Sequence, residues 1–533
     1  MTDVLNHTES VGRGGDRTLA TWRQRISKGP PLIHPFLMAS FPIVFLFARN
    51  LREAITPSDM VTPLELSIGA TAIFMTAGWA IFRNAKAVGL VVSVWLLLFF
   101  SYGRASAGLQ GTLLGRDLYL LIAWGILAFA AVIVAFLFRS RLRATTSALN
   151  LITVVLVAMN VIPIVFYRSA VPRGSASSGG LFAGQLEAAK SSKHRLPDIY
   201  YIVPEDYGEA RTLRDLYGID TQPFNRWLIT QGFYVATDSK TNYPNTSLSL
   251  SSSLNLQYPS SLLGEAAKDG DAVKRTLRGF AASRFLKALG YRYVHMGMWW
   301  AATTTDPTAD VEVKGEGLSE FSSILYDTTI LPALSTKVKS VGGVQLDVRR
   351  VRYEHTLQQF DNLLQVSKLR GPKFVFVHLG VPHAHYVFDR KGRFVGKTQA
   401  AVGTREKRFG DQALWTSSKL QEVLGRLLDA TGRKAVIILQ TDEGPEPVKY
   451  PGVSNRGPNL HRTLLDKYRI LNAYYLPDVS HAKLYPSITP VNSFRLVFDL
   501  YFHAGFGLLP DEIWGKEEDP TRFVNITDLV QDR

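Results

Sequence analysis

Long apolar runs are concentrated in the first third of the chain, whereas the remainder alternates short apolar runs with polar segments. Five of the long runs have about the 17–25 residues that a helix needs to cross the hydrocarbon core of a membrane. Buried core helices can imitate one such run, but five in close succession with basic connectors favour a membrane unit. The predicted spans, of which the first and third are the shortest, are Leu32 to Ala48, Leu64 to Phe82, Ala87 to Gly103, Leu118 to Phe138 and Ala148 to Tyr167.

The connections between these spans differ in their content of Lys and Arg. If the amino terminus is cytoplasmic, the connections on that side carry 10 basic residues and the opposite ones carry 4. Cytoplasmic loops are enriched in Lys and Arg, so this bias predicts a cytoplasmic tail at residues 1–31. Five crossings then place everything after Tyr167 outside. The polar first thirty residues predict no cleaved signal peptide.

The second part of the chain has the pattern of an α/β domain. A connector rich in Gly, Ser and Pro, residues 168–196, separates it from the spans. Continuous apolar strands separated by helices predict a mainly parallel sheet flanked by helices over residues 197–512, followed by a tail at 513–533. The predicted strands are 198–204, 291–297, 373–379, 434–440 and 470–476, and the clearest helical patterns are 272–289, 351–366 and 411–430.

Composition and charge narrow the chemistry. The 533 residues include no cysteine, which excludes disulfides, a thiol nucleophile and a Cys-ligated metal. Of the formal net charge of +15, residues 1–167 contribute 14 basic and 7 acidic residues, and the rest of the chain contributes 46 and 38. A basic domain outside the membrane suits work beside anionic lipid headgroups, and it makes nucleic acid a poor partner.

Three of the predicted strands carry or lead into polar residues with catalytic potential. The first runs into Glu205 and Asp206, the third contains His378, and the fourth runs into Asp442. Because sites in parallel sheets form at the carboxyl ends of strands, we expect these side chains to lie close together. Helix capping and solvation explain isolated loop carboxylates equally well, and we favour that explanation for Asp206 and Glu446.

The segment 241–255, TNYPNTSLSLSSSLN, places one Thr at the start of a predicted helix. The helix begins at or next to Thr246, where exposed backbone N–H groups suit a phosphate or sulfate. A threonine hydroxyl becomes an effective nucleophile when a metal or a base lowers its pKa, and Glu205 and Asp442 could hold such a metal. The spacing leaves a plain capping role for Thr246 open as the alternative.

Four segments taken in order, PDIYYIVPED, NTSLSLSSSL, FVHLGVPHAHY and IILQTDEGPE, resemble a known family. They are similar to the alkaline phosphatase/sulfatase superfamily. Five preceding spans are similar to its membrane-anchored members, the lipoteichoic acid synthases and phosphoethanolamine transferases. The resemblance covers about residues 32 to 510 and implies an alkaline phosphatase-like fold. It also implies a multi-pass protein of the bacterial cytoplasmic membrane with an extracytoplasmic catalytic domain.

The resemblance implies a role for each matching residue. Glu205 and Asp442 match metal-binding carboxylates, and Thr246 matches the nucleophile that also binds the metal. His383 matches a histidine on the substrate side that would protonate a departing oxygen or hold the phosphate, and His378 is a second candidate for this role. Additional candidates for binding the substrate near the Asp442 loop are Arg456, His461 and Arg462.

Glu443 departs from the family pattern, which has a metal-binding histidine at this position. Glutamate can still bind a cation, so the predicted ligands are all oxygens and come from Glu205, Thr246, Asp442 and Glu443. Oxygen ligands suit Mg²⁺, Mn²⁺ or Ca²⁺, whereas Zn²⁺ usually binds imidazole or thiolate. We therefore predict one divalent metal ion, with Mn²⁺ or Mg²⁺ favoured over Ca²⁺ and Zn²⁺.

The activity implied by the resemblance is headgroup transfer. A phosphoglycerol or phosphoethanolamine group would move from a membrane phospholipid to Thr246, and then to an envelope glycan, polymer or lipid. A phosphodiesterase, with water as the acceptor, is an alternative. A second alternative is a catalytically compromised protein that binds lipid or supports assembly, because Glu443 departs from the family pattern. The chain has no C/S-x-P-x-R motif, which argues against a formylglycine sulfatase.

Overall fold

The computed structural model describes residues 30–51, 57–113, 115, 117–138, 141–170, 182–191, 196–313, 319–335, 340–341, 344–345, 347–445, 459–517 and 522–531. The chain divides into two compact units. The first comprises residues 1–51, 56–172 and 324–337, and the second comprises residues 52–55, 173–323 and 338–533. A short stretch from the middle of the chain therefore folds with the amino-terminal unit.

The first unit contains the apolar helices, four of which are long enough to cross a membrane. These are α2 to α5, and α1 is shorter, with 16 residues. At 1.5 Å per residue, α1 spans about 24 Å, less than the roughly 30 Å of a hydrocarbon core. The described residues therefore contain four candidate spans, and the prediction of five is corrected. The helices are α1 (His34–Arg49), α2 (Ser58–Phe82), α3 (Ala85–Gly108), α4 (Asp117–Leu137) and α5 (Leu142–Ala170).

Helix α1 is short because its amino-terminal end is fixed by proline and by a buried amide. Pro35 lies in the first turn, where proline is favoured, and the preceding residues are not helical. The Asn150 side chain donates to the Pro31 carbonyl at 2.6 Å and accepts from the His34 backbone N–H at 3.0 Å. Two apolar residues precede the helix, so hydropathy alone predicted a longer one.

Residues 324–335 pack among the apolar helices of the first unit. The Ile330 backbone N–H donates to the Phe99 carbonyl at 3.1 Å, and Ala333 joins an apolar cluster with Tyr102. Gly103 permits this approach, because a Cβ at that position would lie 1.9 Å from the Asp327 carbonyl oxygen.

The second unit is built on a sheet of seven strands. Its strands are β1 (Ile199–Glu205), β2 (Tyr234–Val235), β3 (Arg292–Met296), β4 (Val311–Glu312), β7 (Lys373–Pro382), β8 (Val436–Gln440) and β9 (Asn472–Tyr475). Their order across the sheet is β2, β9, β8, β1, β7, β3 and β4. Two further pairs are β5 (Ser340–Val341) with β6 (Val344–Gln345), and β10 (Trp514–Lys516) with β11 (Phe523–Asn525).

The remaining helices surround this sheet, except that the end of α13 and α14 belong to the first unit. They are α6 (Ala183–Ser191), α7 (Ala210–Tyr217), α8 (Gln222–Thr230), α9 (Thr246–Asn255), α10 (Pro259–Leu263), α11 (Gly270–Arg275), α12 (Ala281–Ala288), α13 (Glu320–Thr328), α14 (Leu331–Ser335), α15 (Val348–Val366), α16 (Lys397–Ala400), α17 (Arg405–Ala430), α18 (Leu460–Tyr468) and α19 (Ser493–Phe502). Short 3-10 turns lie at Gly264–Lys268, His481–Lys483, Pro490–Asn492 and Thr527–Val530.

The sheet is mixed, which corrects the prediction of a mainly parallel one. Strands β8, β1, β7, β3 and β4 pair in parallel, whereas β9 pairs antiparallel with both β8 and β2. A buried apolar run has the same sequence pattern in either direction, so the direction of β9 was not readable from its residues.

Strand β1 runs through the centre of the sheet and is buried along its whole length. Tyr200 and Ile202 pack on one face with α17, and Tyr201 and Val203 pack on the other face with α9 and α19. Both faces are covered, as the continuous apolar run predicts. This arrangement holds Glu205, the last residue of β1, inside the protein.

Candidate functional site

The carboxyl ends of the three central strands bring together two carboxylates and a histidine. Glu205 ends β1, His378 lies in β7 beside Val203, and Asp442 follows β8. One ligand atom from each of Glu205, His378 and Asp442 lies within 4.8 Å of the other two. The pairing register of β1 with β7 shifts between Pro204 and Glu205, a local irregularity at the residue that enters the cluster.

This cluster has the properties of a site for a divalent cation. Glu205 Oε2, His378 Nε2 and Asp442 Oδ2 are buried and have no hydrogen-bond partner among the described residues. Leaving such atoms buried and unpaired is costly, and buried charges are normally paired or bound to metal. Two carboxylate oxygens and one imidazole nitrogen form a normal ligand set for a divalent metal, so the residues fit the ion that the family resemblance implies.

Thr303 holds the other nitrogen of the His378 ring. His378 Nδ1 lies 2.9 Å from Thr303 Oγ1. Burial, followed by the nearby His295 and His383, lowers the pKa of His378 to about 3, so the ring is neutral. A neutral ring whose Nδ1–H donates to Thr303 presents the lone pair of Nε2 to the carboxylates. This is the protonation state and the tautomer that a metal ligand needs.

Replacing Thr303 with valine is expected to weaken metal binding about 10-fold to 100-fold, because the hydroxyl that orients His378 is lost at nearly constant volume. The measurement is Mn²⁺ or Zn²⁺ affinity by titration calorimetry, with thermal unfolding as a check on folding. Thr303→Ser keeps the hydroxyl and should bind as the wild type does. Equal affinities for all three proteins would contradict this role.

Thr246 begins helix α9 but does not cap it. The cap is Asn245, whose side chain accepts from the Leu248 backbone N–H at 3.0 Å and from the Ser247 hydroxyl at 3.1 Å. The Thr246 hydroxyl instead donates to Glu443 Oε1 at 3.1 Å. Capping therefore does not account for Thr246. Its hydroxyl faces the carboxylates around Asp442 and Glu443, which we call the acidic cluster together with Glu205 and Asp206.

Glu443 links Thr246 to a buried lysine. Lys467 Nζ lies 2.9 Å from Glu443 Oε2 and donates to the Gly444 carbonyl at 3.1 Å. Burial disfavours the charged form of Lys467, but Glu443 and Asp206 outweigh this and raise its pKa above the ordinary value. Thr246 and Glu443, both predicted as metal ligands, are thus hydrogen-bonded to each other, and the Thr246 hydroxyl also favours the charged form of Asp442.

The loop that carries Asp442 is held by hydroxyl groups of the Thr/Ser segment. Thr241 Oγ1 and Ser249 Oγ each donate to the Asp442 backbone carbonyl at 2.6 Å. Burial, and then Glu443, raise the pKa of the Asp442 side chain to about 7, although Thr246 and Lys467 act in the opposite direction. The hydroxyl groups therefore position Asp442, and its carboxyl is unusually easy to protonate.

Asp206 is a buried member of the same acidic group. Its residue is 1% exposed, and both carboxylate oxygens lack hydrogen-bond partners within the described ranges. The solvated role that we favoured for Asp206 is therefore wrong. Burial raises the pKa of both Asp206 and Glu205 well above ordinary values, and neighbouring carboxylates add to this effect, although Lys467 acts against it at both residues and His383 acts against it at Asp206. The excess of carboxylates over Lys467 favours a bound cation.

The candidate substrate residues lie at different distances from this cluster. His383 Nδ1 is 3.9 Å from Glu205 Oε2, and its Nε2 is 3.9 Å from Asp206 Oδ2. The His383 side chain is 23% exposed, so it faces both the acids and the solvent. His461 Nδ1 lies 2.7 Å from the Leu529 carbonyl instead.

The other candidates around the Asp442 loop gain no support from the geometry. Arg462 lies 3.8 Å from Asp466 on helix α18. Arg456 and Glu446 lie outside the described residues. Lys467, which contacts Glu443, and Thr303, which contacts His378, had no motif in the sequence that marked them.

Comparison with known proteins adds structural matches only. No family model matches the sequence, and no curated protein matches it. The periplasmic domain of EptC from Escherichia coli is similar with a TM-score of 0.39 and 14% identity, over 63% of this chain and 94% of that chain. The lipooligosaccharide phosphoethanolamine transferase EptA from Neisseria meningitidis is similar with a TM-score of 0.36 and 13% identity, over 88% and 95%.

A putative sulfatase from Bacteroides thetaiotaomicron is similar with a TM-score of 0.36 and 10% identity, over 61% of this chain and 74% of that chain.

Proposed function

We propose that this protein is a membrane-bound, metal-dependent transferase that moves a phosphoglycerol or phosphoethanolamine headgroup from a phospholipid to an envelope acceptor through Thr246. The observation that carries the proposal is the environment of the Thr246 hydroxyl. It lies at the amino-terminal end of a helix, donates to Glu443, and faces a buried group of carboxylates with unpaired oxygens. Thr246 as the nucleophile, Glu443 as the base and Lys467 as the cation that orients Glu443 form a recognised catalytic arrangement.

The metal is held, in this proposal, by Glu205, His378 and Asp442. Once bound, it would lower the pKa of the Thr246 hydroxyl and neutralise charge on the phosphoryl oxygens. A histidine ligand makes Zn²⁺ as good a match as Mn²⁺ and a better match than Mg²⁺ or Ca²⁺. This proposed ligand set differs from the all-oxygen set predicted from the sequence, because it includes His378.

In the first step, the Thr246 oxygen attacks the phosphorus of the donor headgroup. A bond forms between Thr246 and phosphorus, and the bond from phosphorus to the diacylglycerol oxygen breaks. Glu443 takes the Thr246 proton while Lys467 holds its other oxygen at 2.9 Å. His383, on the exposed side of the site, gives a proton to the departing oxygen.

In the second step, the hydroxyl of the acceptor attacks the same phosphorus. His383 takes the proton of that hydroxyl, and the bond between Thr246 and phosphorus breaks. Glu443 returns its proton to Thr246. Both residues thereby recover their starting states, and the acceptor carries the headgroup.

The two steps are separated experimentally by following the fate of the headgroup. Purified protein is incubated with phosphatidylglycerol or phosphatidylethanolamine labelled in the headgroup, with and without a polyol acceptor. Transfer predicts that label moves to the acceptor and that diacylglycerol forms in equal amount. Release of free labelled headgroup phosphate in the presence of the acceptor would identify a hydrolase, and no diacylglycerol from any lipid would reject the proposal.

Metal binding is expected to weaken as the pH falls through about 7. The Asp442 pKa near 7 means that, below this pH, a metal must displace a proton from the pair formed by Glu205 and Asp442. The metal affinity should fall by up to about tenfold per pH unit for each proton displaced. Calorimetry at pH 6 and 8 in buffers of different ionisation enthalpy measures the number of protons released on metal binding. The pH dependence of the affinity should survive in His383→Gln. Affinity that is constant between pH 6 and 8 would contradict it.

We also propose that the second unit is extracytoplasmic, since the lipid donor and envelope acceptor are there. The absence of cysteine provides a direct test with single-cysteine variants. Lys391→Cys is expected to react with a membrane-impermeant maleimide in intact cells, whereas Thr8→Cys should react only after lysis. Labelling of Lys391→Cys only after lysis would reject this location, and labelling of Thr8→Cys in intact cells would reverse the predicted amino-terminal orientation.

A further inference from the structure

A strongly basic surface segment lies next to the candidate site. All 533 residues carry a net charge of +15, and residues 389–408 contribute 7 basic and 2 acidic residues to it. We call these residues the basic segment. Six of the seven basic side chains belong to exposed residues, and Arg393 is 76% exposed. The basic residues are Arg390, Lys391, Arg393, Lys397, Arg405, Lys407 and Arg408.

The basic segment has a defined structure. Phe388 and Phe394 form an antiparallel bridge across its turn, and the Val395 backbone N–H donates to the Val387 carbonyl at 2.9 Å. Helix α16 follows, and Thr404 caps helix α17 by accepting from the Lys407 backbone N–H at 3.2 Å. The basic side chains are therefore displayed from an ordered scaffold.

Two arginines of helix α15 continue this positive charge towards the site. Arg349 Nε donates to the Val395 carbonyl of the basic segment at 3.1 Å, and a second nitrogen of Arg349 donates to the Tyr386 carbonyl. Arg352 Nη1 lies 2.5 Å from His385 Nδ1. Each arginine thus contacts the chain between the basic segment and His383.

The last part of this path reaches the catalytic candidates. The Arg352 guanidinium lies 4.3 Å from the centre of the Trp299 ring, a cation–π contact. The Trp299 ring centre lies 6.1 Å from that of His383. His383 in turn lies 3.9 Å from the carboxylates of Glu205 and Asp206. Arginines therefore lie between the exposed basic segment and Trp299, and the Trp299 ring adjoins His383 at the edge of the carboxylates.

We infer that the basic segment and the α15 arginines bind an extended anionic polymer, with phosphodiester or carboxylate groups along its length, that serves as the acceptor. This inference rests on the proposed transfer through Thr246. Charge complementarity selects an anionic partner, and lines of like charge raise the local concentration of such a partner. Arginines that lead from the basic segment towards His383 match a chain presenting one end to the site, whereas a flat bilayer would need only the outermost charges.

The test is direct binding of a soluble polymer to the full-length protein in detergent, without turnover. The probe is fluorescently labelled polyphosphate, measured by anisotropy at low and at physiological salt. The variant Arg390→Ser/Lys391→Ser/Lys397→Ser removes three exposed charges from the basic segment. The control Arg426→Ser/Arg433→Ser/Lys434→Ser removes three exposed charges from the far end of α17 and the loop after it.

The wild type and the control are expected to bind with equal affinity, and the basic-segment variant about tenfold more weakly at low salt. Raising the salt should weaken wild-type binding and narrow the difference. Equal affinity of the two variants, or no binding of the probe by the wild type, would overturn the inference. A second assay places the protein in nanodiscs and measures its association with phosphatidylglycerol vesicles. The inference would also be overturned if the basic-segment variant lost this association but bound polyphosphate normally.

This test separates the polymer site from the proposed reaction. Formation of diacylglycerol from labelled lipid reports the chemistry at Thr246 and does not require the probe. Polymer binding without diacylglycerol formation would reject the transferase and leave an anion-binding surface. Diacylglycerol formation without polymer binding would retain the reaction and reject this acceptor.

Discussion

Thr246→Ala is expected to reduce headgroup transfer by about 10³-fold or more, because a residue that forms the covalent intermediate has no substitute at this position. The Thr246 hydroxyl donates to Glu443 at 3.1 Å, whereas the nearby Ser249 hydroxyl donates to a backbone carbonyl. Ser249 is therefore already committed to holding the Asp442 loop. The measurement is the initial rate of diacylglycerol formation from a labelled phospholipid.

Two variants serve as controls for this prediction. Thr246→Ser keeps a hydroxyl on the same helix end and should retain measurable transfer. Ser247→Ala removes a neighbouring hydroxyl that bonds only to the Asn245 side chain in the described structure, and it should leave the rate within about twofold of the wild type. Transfer by Thr246→Ala at the wild-type rate would remove the residue from the mechanism.

Glu205→Gln is expected to abolish stoichiometric metal binding and, with it, transfer. The substitution keeps the shape of the side chain but replaces a carboxylate whose buried Oε2 has no hydrogen-bond partner among the described residues. An amide there offers no negative charge to the ion, and loss of one of three protein ligands should weaken binding at least about 100-fold. Metal content after gel filtration and the calorimetric affinity measure the change.

Asp206→Asn is the matched comparison for Glu205→Gln. It removes a neighbouring buried carboxylate that lies beside His383 rather than in the cluster of Glu205, His378 and Asp442. This variant should keep one metal ion per protein. If Asp206→Asn lost the metal and Glu205→Gln kept it, the assignment of the ligands would be wrong.

The central strands were predictable from sequence because each is a short apolar run bounded by polar residues. The predicted runs 198–204, 373–379 and 434–440 correspond to the strands Ile199–Glu205, Lys373–Pro382 and Val436–Gln440. Since β1 lies between β7 and β8, the polar residues at these three carboxyl ends come together, as the strand pattern led us to expect. The antiparallel direction of β9 left no comparable signal.

The contacts that complete the site depend on residues distant in sequence. Lys467 reaches Glu443 from helix α18, and Thr303 reaches His378 from the loop after β3. An isolated Lys or Thr has no pattern that marks it before the fold is known. The same holds for Asp206, whose burial depends on packing rather than on its neighbours in the chain.

The serine-rich segment, residues 241–255, has one feature that the sequence predicts and others that only the tertiary structure shows. Its turn signal and spacing predict a helix beginning at or next to Thr246, and helix α9 begins at Thr246. Which hydroxyl faces the acidic cluster and which ones hold the Asp442 loop follow from tertiary contacts. Asn245, rather than Thr246, caps the helix because its carboxamide reaches the Leu248 backbone N–H.

The measurement that tests the central claim most directly is mass spectrometry of the peptide that contains Thr246 after brief incubation with mixed phospholipids and no acceptor. A covalent intermediate predicts added mass equal to one phosphoglycerol or phosphoethanolamine group, located on Thr246 by fragmentation, and no addition in Glu205→Gln. The account would be contradicted by an unmodified Thr246 peptide from protein that is turning over lipid, or by modification of another residue instead.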